Sequence, residues 1–364
     1  MMPVAKKESS DCVSPQDLSK DAIATEPQSC CVVCGREGEV KYRDLPDRLF
    51  GAPGMWNFRK CGDPGCGALW LDPRPTREDI GKAYACYYTH QDVGRNASLV
   101  KRAVRFLARE RAAARYGYAT SKLPWPGRHL ASGLASLYPG LGEHLDLMIR
   151  YLNAPDEHRR RLLDVGCGDG EALDILRLVG WDVVGVELDE KAVASARARG
   201  LDVRQGQLDE AGFAEYTFDV VTSSHVIEHV HDPLEFLKQQ WRVLKPGGCL
   251  IAVTPNADGP MHRKWEGIWF NLDPPRHLTI FTRSALQRLA SAVGFSQVEI
   301  VTTARAVALA EIASTRIRHH GAYRTGTWPG LGVWLKAQSR QWAATLSVKA
   351  GIQEGEELVL IATK

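Results

Sequence analysis

The sequence predicts an α/β fold whose second half contains a largely parallel sheet, preceded by a small cysteine-bearing module and a helical segment. Short apolar runs alternate with amphipathic stretches from residue 161 onward, which is typical of βαβ units. A glycine-rich turn follows the first of these runs, where ligand sites of parallel sheets usually lie. With 364 residues, 44% of them apolar, the chain is long enough for one large domain and smaller modules.

Seven strands are expected in this Rossmann-like sheet. They are the apolar runs 162–165, 183–186, the stretch around 203, 218–222, 249–254, 298–303 and 357–363. Helices are predicted over 171–179 and 191–199, and each is followed by a glycine that can end it. Asp232 and Pro233 begin another helix, with an N-cap residue followed by proline at the first helical position. Two helical stretches before the last strand predict an insertion at about 304–350.

The rest of the chain divides by composition. Residues 1–29 are polar and lack the apolar core of a signal peptide, so we expect a disordered tail. Residues 30–90 form the cysteine module and 91–150 a helical segment, expected to be a lid, a linker or a homodimer surface. Residues 151–364 form the sheet domain.

Charge and hydropathy limit the classes of partner that the chain is expected to have. The net charge of +3 is too small to indicate nucleic acid or a membrane as a partner, and basic clusters are interpreted as solvated helix faces. The sequence contains no run of about 18 apolar residues, so no transmembrane helix is expected. We therefore expect a cytoplasmic protein in which the nine cysteines are thiols or metal ligands.

The turn after the first strand carries glycine at alternate positions, Gly166, Gly168 and Gly170, directly after Asp164. Glycines allow the backbone to turn sharply and to bring its amides to a ligand at a helix N-terminus. A dinucleotide fingerprint would need another glycine where Glu171 stands, and a carboxylate there would repel a pyrophosphate. The turn therefore favours a ligand without phosphate.

A carboxylate ends the second strand. Glu187 lies seventeen residues after Gly170, where it could accept hydrogen bonds from both hydroxyls of a ribose. An ordinary exposed charge at the start of a loop is the alternative interpretation.

The series from Asp164 to Asn256 resembles the class I S-adenosylmethionine-dependent methyltransferases. The resemblance rests on the glycine turn, Glu187, Gly206-Gln207-Leu208, Phe218-Asp219-Val220-Val221, His225-Val226-Ile227-Glu228-His229 and Leu244-Lys245-Pro246-Gly247-Gly248. With the strands and helices around them, these motifs cover about half of the chain. They stand in the order and at the spacing of that family.

The resemblance implies a site for S-adenosylmethionine. Asp164 and the three glycines would hold its methionine part, and Glu187 its ribose. Gln207 and Leu208 would flank the adenine, although many relatives carry aspartate where Gln207 stands. His225, at the end of the fourth strand, would line the pocket near the sulfonium.

Four cysteines predict a structural zinc site. Cys31 and Cys34 form one close pair and Cys61 and Cys66 a second, and a glycine follows each pair, as in zinc ribbons. Cys30 lies beside Cys31 and could replace it as a ligand. Unligated buried thiols are the alternative.

The module also resembles the N-terminal segment of bacterial methyltransferases that modify sugars or other small metabolites. The resemblance rests on 61–66, Leu71-Asp72-Pro73-Arg74-Pro75 and the tyrosines of 84–88. In those relatives the tyrosine segment closes over the cofactor. Tyr87 and Tyr88 are therefore candidate active-site residues, or else an aromatic pair in a seam between domains.

Methyl transfer to a hydroxyl requires an acceptor held near the methyl group, exclusion of water and removal of a proton. Histidine suits the last task because its pKa is close to neutral. His229, after the fourth strand, and His277, in a loop after the fifth, are the candidate catalytic residues. The alternative role for both is to bond loop backbone and organise the pocket wall.

Three functions remain after these observations. The leading one is methyl transfer to a small molecule, at a hydroxyl of a sugar or secondary metabolite. An RNA methyltransferase that grips its substrate with the zinc module is the second, but the module carries charges of both signs. Asp273-Pro274-Pro275 invites comparison with the motif of methyltransferases that act on base amines, but that motif ends the fourth strand, and Arg276 follows the prolines where those enzymes carry an aromatic ring. We therefore do not expect nucleic acid as a partner. A scaffold without turnover is the third.

Overall fold

A computed structural model describes residues 22–84 and 99–364, apart from residues 139, 157, 159, 325 and 353. Among the described helices, none is both long enough and apolar enough to cross a membrane.

The N-terminal module consists of short strands. These are β1 (Thr25–Glu26), β2 (Gly38–Leu45), β3 (Trp56–Cys61), β4 (Leu69–Leu71) and β5 (Arg74–Pro75). Strands β1 and β5 pair antiparallel, and β2, β3 and β4 form an antiparallel meander. The expected disordered tail is therefore wrong for residues 22–29, because β5 offers an edge to β1 from fifty positions further along the chain. Trp70 donates to the carbonyl of Gln28 at 2.7 Å and holds the same segment.

Three helices follow, and they pack on one another and on the sheet domain. They are α1 (Leu99–Arg115), α2 (Trp125–Leu137) and α3 (Leu141–Met148). A fully buried ion pair joins the first to the third, since Arg111 donates to both oxygens of Asp146 at 2.6 and 2.7 Å.

The sheet domain contains the seven predicted strands. They are β6 (Arg161–Val165), β7 (Asp182–Glu187), β8 (Asp202–Gln205), β9 (Phe218–Ser224), β10 (Leu244–Pro255), β12 (Gln297–Thr303) and β13 (Glu357–Thr363), with the short β11 (Thr279–Ile280) between them. Their helices are α4 (Glu171–Leu178), α5 (Glu190–Ala198), α6 (Pro233–Val243), α7 (Pro260–Trp265), α8 (Arg283–Val293), α9 (Val307–His320) and α10 (Leu331–Lys349).

The strand order of this sheet is β8-β7-β6-β9-β10-β13-β12. All pairings among β8, β7, β6, β9 and β10 are parallel, and β13 runs antiparallel to both of its neighbours. The order reverses at β6, so the carboxyl ends of β6 and β9 open onto one crevice. The predicted Rossmann-like α/β fold is confirmed.

Local sequence signals explain where the helices begin. The side chain of Asp232 accepts from the amide of Glu235 at 2.9 Å and so caps α6, with Pro233 in the first turn. Thr282 caps α8 in the same way, and Gly294 ends that helix in the left-handed conformation. Helices α9 and α10 lie between the last two strands, where two helical stretches were expected.

The sheet of the module is completed by a strand from the other half of the chain. In β11, Thr279 pairs with Trp70 and Ile280 with Leu69, so the four strands stand in the order β11-β4-β3-β2. The module and the sheet domain are thus joined through backbone hydrogen bonds, which places the module beside the loops that follow β10.

Candidate active site

The glycine turn is shaped by close packing at two of its three glycines. All three have positive φ angles, of 72°, 56° and 79°. A Cβ added to Gly166 would lie 2.4 Å from Val226, and one added to Gly170 would lie 2.4 Å from Leu201. At Gly168 the same position is open. Gly166 and Gly170 are therefore closely packed against neighbouring side chains, and the backbone at Gly168 is left open to the crevice.

Glu187 is fixed by backbone amides at the end of β7. One carboxylate oxygen accepts from Gly168 at 2.8 Å, and the other accepts from Leu188 at 2.8 Å and Asp189 at 3.0 Å. The amide of Gly206 donates to the Glu187 carbonyl at 3.0 Å, which brings the segment after β8 alongside. In that segment Gln207 is exposed and Leu208 is buried. The structure thus brings the residues predicted for ribose and adenine together.

Asp164 lies behind the turn. It is fully buried, and its two oxygens accept from Arg150 at 2.6 Å and from Thr222 at 2.7 Å. Each Asp164 oxygen thus accepts one hydrogen bond from the protein, and a contact between Asp164 and the methionine moiety stays a prediction. Arg150 was missed in the sequence. Its Nε is buried and has no hydrogen-bond partner among the residues that the structure describes.

His225 belongs to a buried network of charges beside the crevice. Its Nδ1 lies 3.1 Å from Glu228 Oε1 and its Nε2 lies 3.1 Å from Glu357 Oε1, and Arg305 pairs with Glu357 as well. Burial alone would lower the pKa of His225, but the hydrogen bonds to the two carboxylates raise it to about 9. The same pairing outweighs burial at Glu228 and lowers its pKa to about 2. Because its pKa is raised, His225 is poorly suited to act as a proton acceptor at neutral pH.

Two further histidines face each other at the crevice. The ring centroids of His229 and His277 lie 4.7 Å apart in an edge-to-face arrangement. Burial lowers the pKa of each to about 4, so both rings are neutral at pH 7. His229 Nδ1 lies 3.0 Å from the Arg276 carbonyl, and His277 Nδ1 lies 2.7 Å from the Asn271 carbonyl. Because a carbonyl only accepts, both rings carry their proton on Nδ1.

Tyr84 and Glu228 complete this group. The Tyr84 hydroxyl, from the N-terminal module, lies 3.0 Å from His229 Nδ1. A carboxylate oxygen of Glu228 and one nitrogen of each ring lie within 4.8 Å of one another. A negative charge next to two neutral imidazoles stabilises a proton that one of them accepts. Tyr87 and Tyr88, the tyrosines proposed from the sequence, lie outside the described residues.

Arg276 holds the loop that carries His277 against the module. Its guanidinium is fully buried and donates to both oxygens of Asp47 at 2.8 Å, to Asp273, and to the Ala83 carbonyl at 2.9 Å. Asp47 lies in the module, 229 positions earlier in the chain. The sequence analysis did not predict this role of Arg276, because no residue near it in the chain indicates so distant a partner as Asp47.

The four predicted cysteines lie together in the module. The sulfur atoms of Cys31, Cys34, Cys61 and Cys66 all lie within 4.8 Å of one another, and two of the distances are 3.8 and 3.4 Å. Hydrogen bonding, chiefly from Cys66, lowers the pKa of Cys31 to about 5. Cys30 is not part of this group. Its backbone forms a β-bridge with Glu37.

A family model described as a methyltransferase domain matches residues 141–300. A protein of Mycolicibacterium smegmatis named a probable S-adenosylmethionine-dependent methyltransferase is 30% identical over 214 residues, which cover 56% of this chain and 76% of that protein. A ubiquinone biosynthesis O-methyltransferase of Cereibacter sphaeroides is 36% identical over 102 residues, which cover 26% of this chain and 41% of that protein.

A solved S-adenosylmethionine-dependent methyltransferase from Archaeoglobus fulgidus superposes with a TM-score of 0.41 at 19% identity and covers 63% of this chain and 94% of its own. The sequence match shows that the two proteins belong to one family, because the chain spans three quarters of the mycobacterial relative at 30% identity. The chain thus belongs to the class I S-adenosylmethionine-dependent methyltransferases and is an enzyme that uses this cofactor.

Proposed function

We propose that this enzyme methylates a hydroxyl of a small molecule, such as a sugar or a secondary metabolite, with His229 as the proton acceptor. The observation that carries the proposal is the pair of neutral imidazoles whose Nδ1 atoms donate to backbone carbonyls. The name of the Cereibacter relative, an O-methyltransferase, also favours oxygen as the acceptor atom.

The residues at the crevice fit S-adenosylmethionine. Gly168 leaves room for a ligand, and the Glu187 oxygens retain acceptor capacity for ribose hydroxyls beyond their amide bonds. Gln207 and Leu208 lie next to Glu187, as adenine contacts must. Two buried polar atoms, Arg150 Nε and Ser223 Oγ, have no partner among the described residues. We assign Arg150 to the carboxylate of the methionine moiety, since a guanidinium binds carboxylates strongly.

The cofactor supplies a methyl group on a sulfonium, and the protein must position the acceptor and take its proton. With Nδ1 protonated, the free lone pair of His229 is on Nε2, which can accept the hydroxyl proton as the oxygen attacks. His229 is partly exposed whereas His277 is buried, so His229 is the ring within reach of an acceptor. His277 and Tyr84 then orient it, and Glu228 stabilises the imidazolium.

The test compares His229→Asn with His158→Asn, a substitution of an exposed histidine away from the crevice. Release of S-adenosylhomocysteine would be measured with a panel of sugars and phenols as acceptors. Loss of the base should lower kcat by about 10²- to 10⁴-fold. Calorimetric affinity for S-adenosylhomocysteine should stay within about twofold of the wild type, since the base adds no cofactor contact.

The pH profile provides a second readout. Because the pKa of His229 is lowered to about 4, kcat/KM should fall only as the pH drops towards 4 and not near the ordinary value of 6.5. Full activity of His229→Asn would reject its role as the base. Failure of the wild type to bind S-adenosylhomocysteine would reject the cofactor site itself.

The same proposal assigns a structural zinc ion to the module. Zinc–sulfur bonds of about 2.3 Å in a tetrahedron place the sulfurs about 3.8 Å apart, close to the 3.8 and 3.4 Å observed. Gly35 and Gly67, each directly after the second cysteine of its pair, adopt positive φ angles of 72° and 62°, which lets the turns fold around an ion.

Elemental analysis of the purified protein should find one zinc per chain. Cys66→Ser should lose the zinc and lower the melting temperature, because four-cysteine sites contribute directly to folding. Cys30→Ser is the matched control and should keep the ion, since Cys30 lies outside the group. Absence of zinc from the wild type, or its loss from Cys30→Ser, would contradict the assignment.

A further inference from the structure

Positive charge is concentrated in one stretch of the chain. Residues 99–142 contain eight Lys and Arg and a single acidic residue, Glu110, although the whole chain has a net charge of only +3. Glu110 is fully buried, where it accepts from Lys122 N and from the Ser121 hydroxyl. Arg111 is buried against Asp146, and Arg105 and Arg109 pair with Asp174 and Glu110. The exposed positive charge of α1, α2 and the loop between them therefore comes from the remaining cations, such as Arg102 and Lys122.

A groove of about 500 Å³ opens on this surface between α1 and α4. Its lining combines cations, Arg102, Arg105, Arg109 and Lys122, with the apolar Phe106, Ile175, Leu178 and Val179. Arg105 is anchored to Asp174 at 2.5 Å, whereas Arg102 and Lys122 are exposed. Leu178 is 57% exposed at the rim. A basic rim over an apolar floor suits an anionic amphiphile.

Helix α2, which packs on α1, carries an exposed apolar stripe. Leu130, Leu134, Leu137 and Tyr138 repeat at helical spacing and are 54–64% exposed. Trp125, at the start of the helix and three residues after Lys122, is 66% exposed. The helix contains no acidic residue and includes Arg128. An exposed tryptophan, a leucine stripe and flanking cations are the features of helices that lie in the interface of a bilayer.

We propose that α1 and α2 form a docking surface for membranes that contain anionic lipids. The charge argues for this occupant over a neutral bilayer, since each Lys or Arg close to an anionic surface adds attraction. It also argues against a second copy of the chain, because a twofold interface here would bring the two basic patches together. The sequence led to the opposite expectation, because the net charge is only +3 and the basic clusters were interpreted as solvated helix faces.

The surface leaves the active site free. Helix α4 begins at the glycine turn, and Leu178 at its far end lies in the groove. The eight residues of α4 separate the glycine turn from Leu178 by about 12 Å. A membrane bound at α1 and α2 would therefore contact the side of the domain and leave the crevice open to an acceptor.

The experiment is flotation of the full chain with vesicles of phosphatidylcholine alone or with a third of it replaced by phosphatidylglycerol. The double variant Arg102→Glu and Lys122→Glu tests the charges, and Leu130→Ser with Leu134→Ser tests the stripe. Lys349→Glu and Ile352→Ser, both exposed elsewhere, are matched controls. Binding of S-adenosylhomocysteine by every variant serves as the check that the sheet domain is folded.

The wild type should float with anionic vesicles at about 0.1 M salt, and not with phosphatidylcholine or at about 1 M salt. Each double variant should weaken binding at least tenfold, and the controls should bind as the wild type does. Absence of flotation, equal binding to both vesicle types, or equal loss in the controls would overturn the proposal. A dimer in solution that Leu130→Ser with Leu134→Ser dissociates would also overturn it, because a second copy would then cover the stripe.

Discussion

Replacing Asp47 by alanine should weaken the attachment of the N-terminal module to the wall of the active site. The Asp47 and Arg276 side chains are both fully buried and meet through two hydrogen bonds of 2.8 Å. Asp47 also accepts from the amides of Leu49, Phe50 and Ala52. Removing one partner of a buried pair typically costs about 3–5 kcal/mol, because the other charge stays buried. Asp273 remains as a second carboxylate for Arg276, so we expect about 3 kcal/mol.

Urea unfolding followed by tryptophan fluorescence measures this loss. With a slope of about 3 kcal/mol/M, the midpoint should fall by about 1 M. Glu354→Gln is the control, since it breaks a pair with Arg283 whose side chains are 44% and 40% exposed and should cost about 1 kcal/mol or less. The reasoning is refuted if Asp47→Ala costs no more than this control.

The pair also predicts a pH dependence. Burial would raise the pKa of Asp47, but the bonds from Arg276 outweigh burial and hold it below its ordinary value of 3.8. The stability from this pair is therefore present above pH 4 and is lost as the pH falls through the folded-state pKa. The difference in free energy of unfolding between the wild type and Asp47→Asn should therefore decrease as the pH falls below 4.

Three further predictions follow from single residues. The pKa of His225 is raised from 6.5 to about 9. The stability that its protonated ring contributes is therefore full below pH 6.5 and is lost as the pH rises through 9. In thermal melts, His225→Gln should show a smaller fall in melting temperature over this pH range. Gly170→Ala combines a φ of 79° with a contact 2.4 Å from Leu201 and should cost about 1–3 kcal/mol. Gly351→Ala, with a similar φ and open space, should cost less in the same urea titration. Glu187→Ala should weaken calorimetric binding of S-adenosylhomocysteine tenfold or more, about 1.4 kcal/mol.

Local signals made most of the sheet domain predictable. Apolar runs, the glycine turn and the capping residue Asp232 each act within a few positions of the chain, so the sequence records them directly. The grouping of Cys31, Cys34, Cys61 and Cys66 was predictable for a related reason, since their short spacings fix two tight turns.

Features that depend on distant partners were not predictable. Nothing near Arg150 indicates that it bonds Asp164, because the contact exists only once the segment after α3 is folded against Asp164 in β6. The pairing of Thr25 with Pro75 likewise turned a polar segment into an ordered strand. A carboxylate at the start of the last strand, Glu357, reaches His225 only because β13 inserts between β12 and β10.

The strand β11 has a consequence for synthesis of the chain. Its pairing partner, β4, leaves the ribosome roughly 210 residues before Thr279 does, about 10–40 s earlier at ordinary rates of translation. During that interval the edge of the meander is exposed, with its backbone groups unpaired and the apolar side chains of Leu69 and Trp70 uncovered. The nascent module is thus open to aggregation or chaperone binding until most of the enzyme has been made.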